Sequence, residues 1–582
     1  MPVLSRADLD FLLFDWLQAG DMTHLGGFAG QDRADYAAFL DLAFRLAEDE
    51  FLPAWKASDR HEPAFGLDGR VTVEPGTRAA VQAWLDAGMQ WATVPAAHGG
   101  MGLPIVVATA AMAPVMAAHV AASGFVMLSM ANARVIRAAG TPDQITRFAA
   151  PQHEALALGT MCLSEPDTGS SLGDITTRAI AEGEHYRLTG RKMWISAADH
   201  DVTDQIVHLV LAKIALPDGS LPAGTKGISL FIVPRLMEDG SLNDIAIAGL
   251  NHKMGYRGTP NCAVNFGENG GATGYLLGQP GQGLTIMFQM MNEARINVGL
   301  SGAAMAGRAW LLARDYARER VQGRPLADKR AARPVPIDTH PDVRRMLLQA
   351  RAIAEGSLAL CLYSAHLADR AAHGDQRAQV LLDLLTPVTK SWPSEMGLVA
   401  CQQAIQIHGG YGYTRDFDVE QLYRDSRLNP IHEGTTGIQG LDLTGRKLLG
   451  DGLAGFDLLR DEMAMTASRA TADPALAAMA RVLLDECARF DGVLRTALTK
   501  PGPDVLAHGT AILSAFGHLV LGWLWLDIAL AAARTRADPA VTDGKFWACR
   551  YFFDHEMPLI AGWLAPLATG SSVSVDAPRH AL

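Results

Sequence analysis

The sequence predicts an α+β protein in which an N-terminal α-helical domain, a central antiparallel β domain and a C-terminal α-helical bundle are followed by an appended α-helical domain. Three observations predict it. At 582 residues the chain exceeds what one hydrophobic core organises, so several domains are expected. Its middle changes texture from helical periodicity to short β-branched runs. Helical periodicity then returns in long stretches joined by short links.

In residues 1–157 apolar positions recur at three- and four-residue intervals, as in AAFLDLAFRLAEDEFLPAW and RAAVQAWLDAGM, the pattern of amphipathic helices. Residues 158–282 hold the runs HYRLTG, QIVHLVLAKI, GISLFIVPR and CAVNFGE, separated by Gly, Pro, Asn and Asp, as strands are. Residues 283–450 carry long helical patterns such as HPDVRRMLLQARAIAEGSLALCLYSAHLADRAA, and long helices with short connections suggest a bundle. Residues 451–582 are again helical, with a break at Pro501–Pro503 and a polar tail, GSSVSVDAPRHAL. Two apolar runs, Ile512–Ala533 and Pro104–Leu128, are long enough to span a bilayer. His518 and Asp527 interrupt the first, and an internal proline and His119 the second. Charge in mid-span is costly in lipid, so both are expected as buried helices and no membrane span is predicted.

The net charge of −12 weighs against nucleic acid or an anionic membrane as the main partner, since both call for a basic surface. Six scattered cysteines show no C-x-x-C pair and no zinc spacing, so no metal is expected and a reducing compartment fits. The N-terminus has Asp8, Asp10 and Asp15 where a secretory signal needs an apolar run, which predicts a cytoplasmic protein.

Three motifs carry chemistry. Met161-Cys-Leu-Ser-Glu-Pro-Asp-Thr-Gly-Ser170 resembles the C-L-T/S-E-P-x-x-G-S signature of the acyl-CoA dehydrogenases. Leu188-Thr-Gly-Arg-Lys-Met-Trp-Ile-Ser196 resembles that family's G-x-K-x-W/F-I-S/T strand, and His432-Glu433-Gly434-Thr435-Thr436-Gly437-Ile438-Gln439 its E-G-T-x-x-I-Q motif. A lone E-G-T is common by chance. The three in order, with IQIHGGYGYTRDF before the last, cover the chain from about Leu40 to Leu449. The appended domain and the run HKMGYRGTPNCAVNF look like the longer branch of the family, which includes 3-methylmercaptopropionyl-CoA dehydrogenases.

The resemblance implies FAD as cofactor, lying between the β domain and the bundle. It implies contacts to FAD from Met161, Leu163, Ser164, Trp194 and Ser196 in the β domain and from Thr435 beside the base. Arg320, Gln406 and Gly410 would serve the pyrophosphate and adenosine half, supplied by a neighbouring subunit, so a homodimer or tetramer is implied. A flavin needs its polar edge satisfied and its face covered against water, tasks that serines and a tryptophan suit, while a guanidinium and a bare glycine backbone suit a diphosphate. The plain alternatives are core packing for Trp194, an exposed helix-end charge for Arg320, and a turn for Gly409, Gly410 and Gly412. After Arg320 the chain reads V-Q-G-R where many relatives read x-x-F-G-K, so that contact with the cofactor differs.

Desaturating an acyl thioester means removing a weakly acidic α proton as a hydride leaves the β carbon, which requires a carboxylate in a dry pocket. The resemblance makes Glu433 that base. The family uses the base's own backbone N–H to polarise the thioester carbonyl, and a good donor of that kind removes roughly 3–4 kcal/mol of barrier. Ser170 is implied at the thioester region and Arg295 at the bound acyl-CoA. Some relatives place the base on the helix carrying Arg295, where this chain has Ala294; Glu293, about 100° round the helix, is a distant second candidate. His432 stands where many relatives have Tyr or Phe and would shift the base's pKa, shape the acyl pocket or simply change its size. Electron-transferring flavoprotein is the implied acceptor. An acyl-CoA oxidase using oxygen, a DNA-binding relative and a non-oxidative flavoprotein lyase are the alternatives.

Overall fold

The computed structural model describes residues 2–581 except 26, 29 and 536, without the side chains of 23, 24 and 288–292. The chain forms two compact units. One gathers Met1–Leu40, Pro104–Ala117 and Arg295–Leu582; the other gathers Asp41–Leu103 and Ala118–Ala294. These units cut across the four consecutive segments, since residues 1–157 divide between both, residues 283–294 lie in the second unit, and residues 295–450 share the first with the appended helices.

In the second unit β1 (Ala64–Phe65) and β2 (Val71–Thr72) make a two-stranded ribbon. The main sheet has eight strands: β3 (Ala157–Cys162), β4 (Arg178–Glu182), β5 (His185–Ser196), β6 (Gln205–Ile214), β7 (Ile228–Pro234), β8 (Ile245–Leu250), β9 (Asn261–Phe266) and β10 (Ala272–Leu277). The expectation of an antiparallel domain needs correction, because β3 and β4 both pair with β6 in parallel while the other pairings are antiparallel. The residues between β3 and β6 are long enough to return the chain in the same direction, which a hairpin cannot do. The α+β class stands, with a mixed sheet.

Period-two alternation sorts the core. Leu209, Leu211, Leu230 and Ile232 pack in one cluster with Val135, Ile136 and Phe148 of the helices. Their neighbours Val210, Ala212, Phe231 and Val233 pack in a second with Leu188, Val264 and Phe266. Strand β6 is buried along nearly its whole length, which explains its continuous apolar run.

In the first unit, helices Pro341–Ala372 and Gln376–His408 are joined by a three-residue turn. The appended helices Ala454–Thr471, Ala477–Ala497, Gly509–Arg534, Pro539–Tyr551 and Leu559–Thr569 follow. Phe456, Phe490 and Phe516 bring their ring centroids within 5.3–6.1 Å of one another. Trp525 donates its indole N–H to the Ala352 carbonyl at 3.2 Å, and a Cβ on Gly356 would lie 2.7 Å from that nitrogen, so glycine permits the close approach. Lys545, fully buried, joins Asp8 at 2.6 Å and Glu355 at 2.7 Å. The helices Ile105–Ala139 and Gly509–Arg534 are long and apolar enough to cross a membrane by length and composition, and 89% and 83% of their apolar windows are buried inside the protein. The second is the core of the appended helices.

Candidate active site

Glu433 lies in the segment between helices Val419–Ser426 and Thr436–Leu441, and its backbone is left-handed (φ +53°), as is that of Gly434 (φ +87°). A side chain at 434 would bring its Cβ within 2.5 Å of Gln439 Nε2. The left-handed conformation therefore favours glycine there, and a side chain would also displace the Gln439 amide. Gln439, fully buried, donates from Nε2 to the Glu433 carbonyl at 3.2 Å. Thr435 caps the next helix by accepting from the Ile438 N–H at 3.3 Å, and the Thr436 N–H donates to the Pro430 carbonyl at 3.0 Å. Among the described residues the backbone N–H groups of Glu433, Gly434 and Thr435 find no acceptor. Successive N–H groups in a left-handed turn form a concavity suited to a partly negative oxygen.

The electrostatics at the carboxylate follow from burial. Protein atoms ring the Glu433 carboxyl closely, although the residue as a whole keeps intermediate exposure. Burial raises its proton affinity, against the pull of Lys390 and Arg295. Arg295 is buried and paired with Asp442 at 2.9 Å, and Asp442 also takes Arg446 at 2.5 Å. His432 donates from Nδ1 to the Leu428 carbonyl at 3.1 Å, and its pKa is depressed to about 4 by burial and by Lys390. It is therefore neutral at physiological pH. Glu293, the second candidate, belongs to the other unit and is ion-paired to Arg134.

Helix ends in the same unit shape a cleft of about 700 Å³, lined in part by Tyr316, Arg320, Gln322, His340, His408 and Gly410. Arg320 is exposed and donates to Gln322 Oε1 at 2.9 Å. A Cβ on Gly410 would meet no atom of this chain, so the space in front of it belongs to the cleft. Gln406 is exposed one residue before Ile407, which lines the cleft. Tyr316 and His408 stack at 4.3 Å. A guanidinium, bare glycine backbone and stacked rings in an open cleft suit a diphosphate with an attached base.

In the β unit the first two motifs come together across the sheet. The Met193 N–H donates to the Ser164 carbonyl at 3.1 Å. The register of β5 against β9 slips between Lys192 and Ile195, and Trp194 takes a left-handed backbone (φ +65°) that leaves the residue 61% exposed. Core packing is thereby excluded for Trp194: the bulge presents it outward. Ser196 ends the strand opposite Asn261, and Ser170 is exposed. The side chains of Met161 and Leu163 are partly buried against the core. Sequence reasoning missed Glu165 and Lys192. Glu165 accepts from the N–H and hydroxyl of Thr176 (2.7 and 2.8 Å) and of Thr177 (3.0 and 2.6 Å). Lys192 reaches Glu165 at 3.1 Å and the Leu163 carbonyl at 2.9 Å. It also missed Lys390, Glu395 and Gln439 around Glu433; of these only Gln439, inside the E-G-T-x-x-I-Q motif, left a signal.

A buried carboxylate of raised proton affinity beside unclaimed N–H donors can take a proton from a weak carbon acid whose adjacent carbonyl is polarised. Residues 160–268 match the family model "Acyl-CoA dehydrogenase, middle domain", residues 281–449 "Acyl-CoA dehydrogenase, C-terminal domain", and residues 459–578 "Acetyl-CoA dehydrogenase C-terminal like". The chain is 37% identical over 479 residues to 3-methylmercaptopropionyl-CoA dehydrogenase of Ruegeria pomeroyi, covering 80% of each. Its fold is similar to that of Caenorhabditis elegans ACDH-11 in complex with C11-CoA (TM-score 0.78, 20% identity, 97% of this chain and 96% of that one). It is also similar to an acyl-CoA dehydrogenase complexed with FAD from Bacillus anthracis (TM-score 0.69, 21% identity, 95% and 90%). The chain belongs to the acyl-CoA dehydrogenase family.

Proposed function

We propose that the protein is an FAD-dependent acyl-CoA dehydrogenase that converts an acyl-CoA to its trans-2-enoyl-CoA, with Glu433 as the base. The observation that supports this most is the Glu433 turn, which offers a buried carboxylate of raised pKa and unclaimed backbone N–H groups within three residues. The carboxylate accepts the α proton. The N–H of Glu433 donates to the thioester carbonyl, stabilising the charge that develops as the proton leaves. FAD, when bound, supplies the hydride acceptor. Trp194 and Ser164 are suited to cover and hydrogen-bond its ring system, and Thr435 to flank it. Arg320, Gln406 and Gly410 are suited to its diphosphate and adenosine half. We assign that half to the cofactor of a neighbouring subunit, making the protein a dimer or a tetramer, a reading supported by Tyr413, Val321 and Leu326, which are exposed close in sequence to the cleft residues.

The test is anaerobic titration of the yellow protein with a panel of acyl-CoA esters, including short sulfur-containing, branched, aromatic and straight chains, following loss of flavin absorbance. Bleaching by one class is expected and identifies the substrate; no bleaching by any ester overturns the reading. Reoxidation of the bleached protein by electron-transferring flavoprotein but slowly by oxygen separates a dehydrogenase from an oxidase. Gly410→Val is expected to leave the unfolding temperature of the apoprotein within a few degrees of wild type, since no atom of the chain is in its way. It is also expected to weaken FAD retention at least tenfold, about 1.4 kcal/mol, as read by the flavin-to-protein absorbance ratio after gel filtration.

A further inference from the structure

The turn that carries Glu433 is fastened at both ends to one helix, Gln376–His408. At its start, Lys390 donates from Nζ to the Asn429 carbonyl at 2.7 Å. At its end, Thr436 donates from its hydroxyl to Glu395 at 2.5 Å. Lys390 is fully buried within a run, Thr386–Ser394, that is buried throughout. Among the described residues no carboxylate lies within ion-pair distance of it. A buried ammonium held by one carbonyl is costly to a fold.

The charged groups that bear on Glu433 are few. Lys390 and Arg295 are the two cations, His432 beside it is neutral, and Glu395 acts on Lys390. Arg295 is already matched by Asp442, and Asp442 by Arg446. Of the two, Lys390 is the cation with no carboxylate within ion-pair distance among the described residues. We propose that Lys390 is a positioning residue for the base, anchoring the turn through Asn429 and keeping the Glu433 carboxylate ionised at working pH.

The inference rests on Glu433 being the base. A dry pocket favours the protonated acid, which cannot accept a proton, and a nearby cation is the direct remedy. Burial brings the Lys390 pKa down to about 8 even with the carboxylates Glu433 and Glu395 holding it up, so the ammonium persists at neutral pH. Glu395 is exposed and fastens the far end of the turn.

The experiment is the pH profile of kcat/KM for the FAD-loaded wild type, Lys390→Gln, Lys390→Met and Glu433→Gln. Lys390→Gln keeps a donor for Asn429 but no charge. Its acid limb is expected to move up by about one pH unit or more, so that the rate on that limb falls roughly tenfold while the plateau at higher pH is retained. Lys390→Met, which is apolar and of similar length, should show the same displacement with a lower plateau, because the anchor is also lost. It carries the test if Lys390→Gln does not fold. An acid limb unmoved in the folded variants overturns the proposal, since loss of an anchor alone does not displace a titration. Glu433→Gln separates the two readings: if it turns over as wild type does, the base assignment fails whatever Lys390 does.

Discussion

Glu433→Gln should retain its yellow colour and lose the reaction. The carboxamide has the shape of the carboxylate but no basicity at the relevant pH, and general base catalysis contributes about 10²–10⁴-fold. The first-order rate of flavin bleaching by the best acyl-CoA is therefore expected to fall by roughly 10³-fold or more, with FAD content unchanged. Stability gives an independent sign. A carboxyl whose folded pKa is raised contributes stability below its ordinary pKa and loses it as pH rises through the folded value. Burial raises that of Glu433, so ionised Glu433 is a cost at neutral and alkaline pH. Removing it leaves Arg295 with Asp442, whereas Lys390 keeps the Asn429 carbonyl but loses the nearby carboxylate, which offsets part of that gain. The unfolding temperature of Glu433→Gln near pH 8 is thus expected to stay within a few degrees of that of wild type. A variant both slow and markedly unstable would mean that the side chain holds the turn together, and the loss of rate would say little about a base.

Much of this site was legible in the chain because its motifs are local. E-G-T-x-x-I-Q places the carboxylate, the glycine that the left-handed turn favours, the threonine that caps the next helix and the glutamine that grips the Glu433 carbonyl within one short run. Its meaning survives without knowledge of the fold. Lys390 was illegible for the opposite reason. It sits in an ordinary helical pattern, and only the return of the chain at Asn429 brings it to the Glu433 turn. The strand textures predicted a β domain correctly, yet the parallel pairings of β3 and β4 with β6 were missed. Alternation reports which face of a strand is buried, and says nothing of direction. Trp194 shows a third kind of limit. The K-x-W-I-S pattern reads as a plain strand, and only the register slip after Lys192 turns the indole out of the core.

Lys192→Met is expected to have the largest effect on stability, about 3–5 kcal/mol, the usual consequence of removing one member of a buried ion pair. Lys192 and Glu165 are 0% and 5% exposed at the side chain, and their arrangement is unequal. Glu165 has four other donors, from Thr176 and Thr177, whereas Lys192 has Glu165 and the Leu163 carbonyl. Burial pushes the Glu165 pKa up, but Lys192 and the threonine donors outweigh it and bring it down to about 2. Burial also lowers the Lys192 pKa, against the pull of Glu165. The two shifts oppose each other in stability, and that of Glu165, anchored by four further hydrogen bonds, is the firmer. A depressed carboxyl pKa contributes stability above the ordinary value near 4.5 that is lost as pH falls toward 2. Wild type should therefore lose stability over that interval. Lys192→Met should begin to do so at higher pH, because the carboxylate has lost its cation. The same ammonium holds the Leu163 carbonyl immediately before Ser164, and Lys192 adjoins the bulge that exposes Trp194. Loss of Lys192 is thus also expected to weaken FAD retention, which Glu433→Gln leaves intact. Urea unfolding of wild type, Lys192→Met, Glu165→Gln and the double variant gives the coupling energy directly. A single-variant cost below about 1 kcal/mol, the level of an exposed pair, would show that the pair does not hold the two flavin motifs together.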